Sequence, residues 1–144
     1  MSASIDIIAS DGHRLSAYVA RPEGAAVGAL VMLQEFFGVN AHIRAMADQY
    51  AKDGFHTIAP AIFDRVERGV ELGYDDAGIQ KGRELRARLD MEQTMRDVQA
   101  AIDAVSSEGP VATLGYCWGG SLAYLAAARL TKVSPARSTE RSKG

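Results

Sequence analysis

VATLGYCWGG, residues 111–120, decides the fold of this chain. Its first four residues are apolar and short, the pattern of a strand buried on both faces. Its last residues open SLAYLAAARL, a small-residue helix expected over 119–130. Gly115, Cys117 and Gly119 fall between them in a G-x-C-x-G spacing. A tight strand-to-helix turn strains the backbone at its central residue, and flanking glycines relieve the steric conflict. That geometry lifts the Cys117 side chain above the sheet. It also places the Trp118 N–H at a helix N-terminus, where it can stabilise a developing oxyanion. The same helix end favours thiolate over thiol. The plain alternative is a small buried cysteine in a glycine-rich turn.

Working outward, residues 29–33 form a second short apolar run. QEFFGVN, residues 34–40, follows it, with Asn40 as a helix N-cap. Ile43, Met46, Ala47, Tyr50 and Ala51 then share one helical face. Residues 56–59 read as another strand. Residues 5–8 and 15–19 read as a hairpin around Ser10, Asp11 and Gly12. The charged, glycine-containing stretch 63–88 reads as loop with short helical pieces over the sheet edge. Over 90–105, Met91, Met95, Val98, Ile102 and Val105 mark an amphipathic helix. Alternating short strands and amphipathic helices point to an α/β fold with a parallel sheet covered on its faces.

Glu35 and Phe36 follow the end of a buried strand, where α/β folds place their sites. Glu35 sits between apolar neighbours, an odd place for a charge without a role, and could orient or deprotonate Cys117. The Phe36 N–H is a second candidate oxyanion donor, and Phe36 and Phe37 could line an apolar pocket. His13, His42 and His56 all precede Cys117, so none occupies the downstream position of a hydrolase base. No metal-ligand spacing such as HExxH and no phosphate-binding loop of the Walker type is present, so no metal and no cofactor is expected.

Whole-chain properties narrow the classes. The 144 residues fit one domain, and a net charge of -2 does not suggest nucleic acid as a partner. No apolar run approaches membrane-spanning length, so no membrane partner is expected. The start lacks a basic segment leading into an apolar core, which makes the cytoplasm the default location. One cysteine can form neither an internal disulfide nor a cysteine metal cluster.

The stretches LVMLQEFFGVNAHIRAMADQYAKDGFHTIAPAIFDR and VATLGYCWGGSLAYLAAARL resemble the dienelactone hydrolase (carboxymethylenebutenolidase) family. The likeness runs from about Ser4 to Leu130. It implies an α/β-hydrolase-type three-layer fold on a mostly parallel sheet, of which this chain holds the N-terminal portion only. It implies a carboxylic ester hydrolase cleaving a small lactone or ester through a cysteine and an acyl-thioester. Cys117 takes the nucleophile's place, Glu35 that of its activator, and Phe36 and Trp118 those of the oxyanion donors. Phe37, Arg65, Arg83 and Arg86 become candidates for binding substrate, the arginines through its carboxylate.

Family members continue past the elbow helix to an aspartate and a histidine, whereas neither residue follows Cys117 here. The expected organisation is a partial hydrolase domain over 1–130 and a disordered, polar, basic tail over 131–144, as in a truncated gene product. Slow acylation and poor turnover follow as expectations. So does self-association along an exposed edge at strand 111–114. Two other readings stay open. One is a cysteine enzyme or redox thiol protein of the PfpI and DJ-1 type. The other is a non-catalytic remnant or binding module.

Overall fold

The computed structural model describes residues 1–115, 118–130 and 132. Cys117, and the tail expected over 131–144 apart from Lys132, lie outside the described residues.

Among the described residues five strands form one sheet: β1 (Ser2–Ile8), β2 (Arg14–Ala20), β3 (Gly28–Leu33), β4 (Phe55–Pro60) and β5 (Val111–Gly115). Their order is β1-β2-β4-β3-β5. β3 is parallel to both β4 and β5, while β1–β2 and β2–β4 are antiparallel. The sheet is therefore mixed, and the expectation of a mostly parallel sheet is corrected. The cause is local. β1 and β2 are joined by a tight turn, which only antiparallel neighbours can use. β2 then inserts beside β4 in the same reversed sense, so Ala17 faces Pro60. Only the strands joined through helices, β3, β4 and β5, run parallel.

Four described helices cover the sheet: α1 (Ala41–Lys52), α2 (Asp76–Ala87), α3 (Met91–Val105) and α4 (Trp118–Arg129). Residues alternate sides along a strand, and β3 shows it with all six positions buried. Val31 and Leu33 face α3 and α4, packing with Val98, Ile102, Leu122 and Ala126. Met32 faces the opposite side, with Ile43 of α1 and Leu114 of β5. The result is three layers, as the helix–strand alternation predicts. Asn40 caps α1, its Oδ1 accepting from the Ile43 N–H at 3.1 Å. Asp90 caps α3 by accepting from Glu92 and Gln93.

The expectation for 63–88 needs correction too. A 3-10 turn spans Ile62–Arg65, and α2 is a full 12-residue helix with Asp75 as its N-cap. Its buried face consists of Gly78, Gly82 and Leu85. A face built on glycine carries no apolar periodicity, so the pattern that reveals α1 and α3 is missing. The glycine is required by packing. A Cβ on Gly82 would stand 2.5 Å from the Phe36 carbonyl oxygen. α2 therefore lies against the loop that follows β3.

At the far end of the order, β5 pairs only with β3 among the described residues. Ala112 is half-buried and Leu114 is 8% exposed.

Candidate active site

The three parallel strands end at Leu33, Pro60 and Gly115. Their following segments converge at the carboxyl edge of the sheet, the position where open α/β sheets build sites.

The end of β5, the head of α4 and the end of β3 meet through glycines. A Cβ on Gly115 would meet the Gly119 carbonyl carbon and oxygen, both at 2.2 Å. A Cβ on Gly119 would meet the Leu33 oxygen at 2.4 Å and the Gln34 oxygen at 2.7 Å. No side chain fits at either position. The head of α4 is thus seated on the end of β3, and Trp118 opens that helix. The first N–H groups of a helix have no acceptor within it, so they face the site unsatisfied by the helix itself. Thr113 of β5 fastens α4 further along, its hydroxyl donating to the Ala123 carbonyl at 2.9 Å.

The loop after β3 is held at several points. Gln34 is fully buried and bridges two strand exits. Its Oε1 accepts from the Ile62 N–H at 2.9 Å, and its Nε2 donates to the Glu35 carbonyl at 3.1 Å. The Phe37 carbonyl accepts from the Leu72 N–H at 2.9 Å, and the Phe37 ring lies 4.5 Å from that of Tyr74. Arg44 donates to the Val39 carbonyl at 2.8 Å and pairs with Glu71 at 3.1 Å. Glu35 is half-buried at the centre of this fastened loop.

Aromatic rings connect the exits. Trp118 stacks with Phe36 at 6.3 Å and 29°, and with Phe63 at 5.5 Å and 20°. Phe36, Trp118 and Phe63 belong to the segments after β3, β5 and β4 respectively. Beside them an open cavity of about 410 Å³ is bounded by Phe36, Arg86, Leu89, Thr94, Trp118 and Leu125. That volume is within the range of small-molecule sites.

The candidate arginines separate cleanly. The Arg86 guanidinium carbon lies 5.5 Å from the centre of the Phe36 ring, a cation–π contact at the site. Arg83 is exposed on α2, one turn earlier. Arg65 is committed elsewhere. Its guanidinium reaches both oxygens of Asp11 at 2.8 and 2.9 Å and both of Asp97 at 3.0 and 2.9 Å. Asp97 is fully buried on α3. Burial pushes its carboxyl above the usual range, against the pull of Arg65. The bond from Arg65 holds Asp11 down at about 2. The same contact raises the Arg65 pKa, so the guanidinium stays charged.

Among the histidines, His42 is exposed and edge-on to Tyr74 at 6.5 Å. His56 is buried at the opposite end of the sheet, where β4 begins. No group of three His, Cys, Asp or Glu side chains that could hold a metal occurs among the described residues. No described helix is long and apolar enough to cross a membrane.

Gln34 and Phe63 are the site residues that sequence reasoning missed. Their signal was positional: each follows a strand exit by one to three residues. An amide and a single phenylalanine announce no chemistry of their own.

With this geometry in view, comparison with known proteins is specific. The model of the family described as "Dienelactone hydrolase family" matches residues 15–138. A "Putative carboxymethylenebutenolidase" of Synechocystis sp. is 36% identical over 83% of this chain and 51% of its own length. The carboxymethylenebutenolidase of Pseudomonas putida is 34% identical over 90% of this chain and 57% of its own length. The solved structure of a "Putative Dienelactone Hydrolase" from Klebsiella pneumoniae superposes with a TM-score of 0.76 at 25% identity. That match covers 94% of this chain and 58% of the Klebsiella chain. The chain thus spans a little over half the length of these relatives. With a fastened QEFFGVN loop after β3 and α4 seated on the end of that strand, a chain so matched belongs to the dienelactone hydrolase family.

Proposed function

We propose that this chain carries the nucleophile and oxyanion machinery of a cysteine-dependent hydrolase acting on a small ester or lactone. The observation that carries the reading is the seating of Gly119 on the Leu33 and Gln34 carbonyls. It brings the head of α4 against the loop that bears Glu35 and Phe36.

In this reading Glu35 takes the Cys117 proton, and the thiolate attacks the substrate carbonyl. The carbonyl π pair moves onto oxygen, which the N–H groups of Phe36 and Trp118 stabilise. The pair returns, the ester C–O bond breaks, the leaving oxygen takes the proton held by Glu35, and the acyl group remains on Cys117 as a thioester. Water then hydrolyses it. The positive end of α4 favours the thiolate in the first step. Phe37 and the 410 Å³ cavity supply apolar surface for the substrate. Arg86, with Arg83 behind it, is the cation placed for a substrate carboxylate. Arg65 serves the fold instead, because both acids it grips lie outside the site.

The proposal includes acylation that outpaces deacylation, so that the acyl-enzyme accumulates. It also includes self-association along β5, which pairs only with β3 among the described residues. A lone thiol suits a reducing compartment, so the cytoplasm is the proposed setting.

Stopped-flow mixing with p-nitrophenyl acetate tests the reading. The expected trace is a burst of p-nitrophenolate matching the chain concentration, followed by slow release. Glu35→Gln slows the burst and Cys117→Ala removes it. A burst that survives Cys117→Ala contradicts the assignment.

A further inference from the structure

Phe63 lies on none of the segments that carry the proposed chemistry, yet its position is closely defined. It is 1% exposed on the 3-10 turn after β4. Its ring stacks with Trp118 at 5.5 Å and only 20° from parallel, closer and flatter than the Phe36 contact. The turn itself is anchored on both sides of Phe63. Its Ile62 N–H donates to the buried Gln34, and Asp64 accepts from the Ser16 N–H at 2.9 Å. Arg65, the next residue, is locked between Asp11 and Asp97. A ring mounted on so rigid a turn is a fixed plate. Trp118, which rests on it, is only half-buried and opens α4.

We propose that Phe63 is a positioning residue that fixes Trp118, and through it the N–H at the head of α4, for the oxyanion. The inference rests on the proposed reading of Cys117 and Trp118. The physical argument is that an oxyanion donor works only if it is aimed before the charge develops. Offset or near-parallel ring pairs at this spacing resist reorientation at a modest cost in energy. Without the Phe63 ring, Trp118 is free to turn, and the helix head can relax with it.

Two reactions of the same thiol separate this role from a general loss of structure. Acylation by p-nitrophenyl acetate passes through an oxyanion. Alkylation by iodoacetamide does not: the thiolate displaces iodide at a saturated carbon. Phe63→Met keeps the volume nearly constant and removes the ring. The expected result is acylation about tenfold slower, less than the roughly hundredfold cost of removing a donor outright, with alkylation within about twofold of the parent. Phe63→Tyr, which keeps the ring, restores the acylation rate. Trp118 is the chain's one tryptophan, so acrylamide quenching of its fluorescence reports the ring directly and rises in Phe63→Met. Should Phe63→Met lose its cooperative urea transition, Phe63→Leu carries the same comparison.

Equal slowing of acylation and alkylation overturns the inference, as does no change in either. A parent chain that alkylates but takes no acyl group overturns the reading of Cys117, and this inference with it.

Discussion

Arg65 and Arg86 are 21 residues apart in a charged stretch that offered both as substrate-binding cations. The fold gives them opposite employment. Arg65 faces inward and grips two carboxylates, one of them the fully buried Asp97. Arg86 stands exposed, with its guanidinium over the Phe36 ring. The difference arises from what each helix or turn is packed against. The 3-10 turn is flanked by α3 and the β1–β2 turn, both of which supply aspartates. The last turn of α2 is flanked by an aromatic ring and a cavity. A buried cation surrounded by acids holds the fold, whereas an exposed one beside a pocket is available to a ligand.

The widest separation should appear in stability. Arg65→Met leaves Asp97 buried without its partner, and breaking a buried pair in this way costs about 3–5 kcal/mol. Urea titration of the variant should show that loss. A change as small as that of an ordinary surface substitution would erase the distinction between the two arginines.

The second test concerns the contact that holds α2, and so Arg86, in place. Gly82→Ala drives a methyl into the Phe36 carbonyl and should cost about 1–3 kcal/mol. Gly24→Ala, which meets no atom within 4 Å, is the control and should change stability by less than about 0.5 kcal/mol. Equal effects would show that the close approach of α2 is not required.

A third test uses a buried polar group without such a clamp. Burial, helped by Arg21, pushes the His56 pKa below its ordinary 6.5, with Glu108 opposing weakly. The unfolded chain then binds the proton more readily than the folded one, so stability falls as pH drops below about 6.5, by at most about 1.4 kcal/mol per pH unit. Asp11, held at about 2, loses its contribution only as pH falls from the ordinary carboxylate range towards that value. Asp97, raised by burial, acts in the opposite sense and gains stability as pH falls. His56→Gln should therefore flatten the urea midpoint between pH 7 and 5. An unchanged slope would assign it to another group.

The smallest effect on stability belongs to Arg86→Gln, within about 0.5 kcal/mol. Its consequence should appear in selectivity. Acylation by a carboxylate-bearing ester should slow several-fold relative to a neutral one. Equal slowing of both would place Arg86 outside substrate recognition.

How much of this was legible follows the same line between local and distant causes. α1 could be read from its cap, Asn40, and its apolar face, and α3 from its apolar face, because these are local patterns. The glycine spacing of G-x-C-x-G could be read as a steric requirement, which the Gly115 and Gly119 contacts match. α2 could not, since its packing face is glycine and the reason for it, the Phe36 carbonyl, is more than forty residues away. The mixed sheet escaped for a similar reason: the placing of β2 beside β4 is a tertiary choice. Glu35, Phe36 and Trp118 were singled out by their motifs. Phe63 and Gln34 were not, because their importance is entirely a matter of what lies beside them. Arg65 was legible as a charge but not in its role, which depends on acids from two other segments.

The central claim is that the elbow between β5 and α4 presents Cys117 as an acyl acceptor. Brief incubation with p-nitrophenyl acetate, acid quench and peptide mapping by mass spectrometry tests it most directly. The expected product carries one acetyl group per chain, held as a thioester on the peptide containing Cys117 and absent from Cys117→Ala. Acetylation confined to lysines, or unchanged in Cys117→Ala, would contradict it.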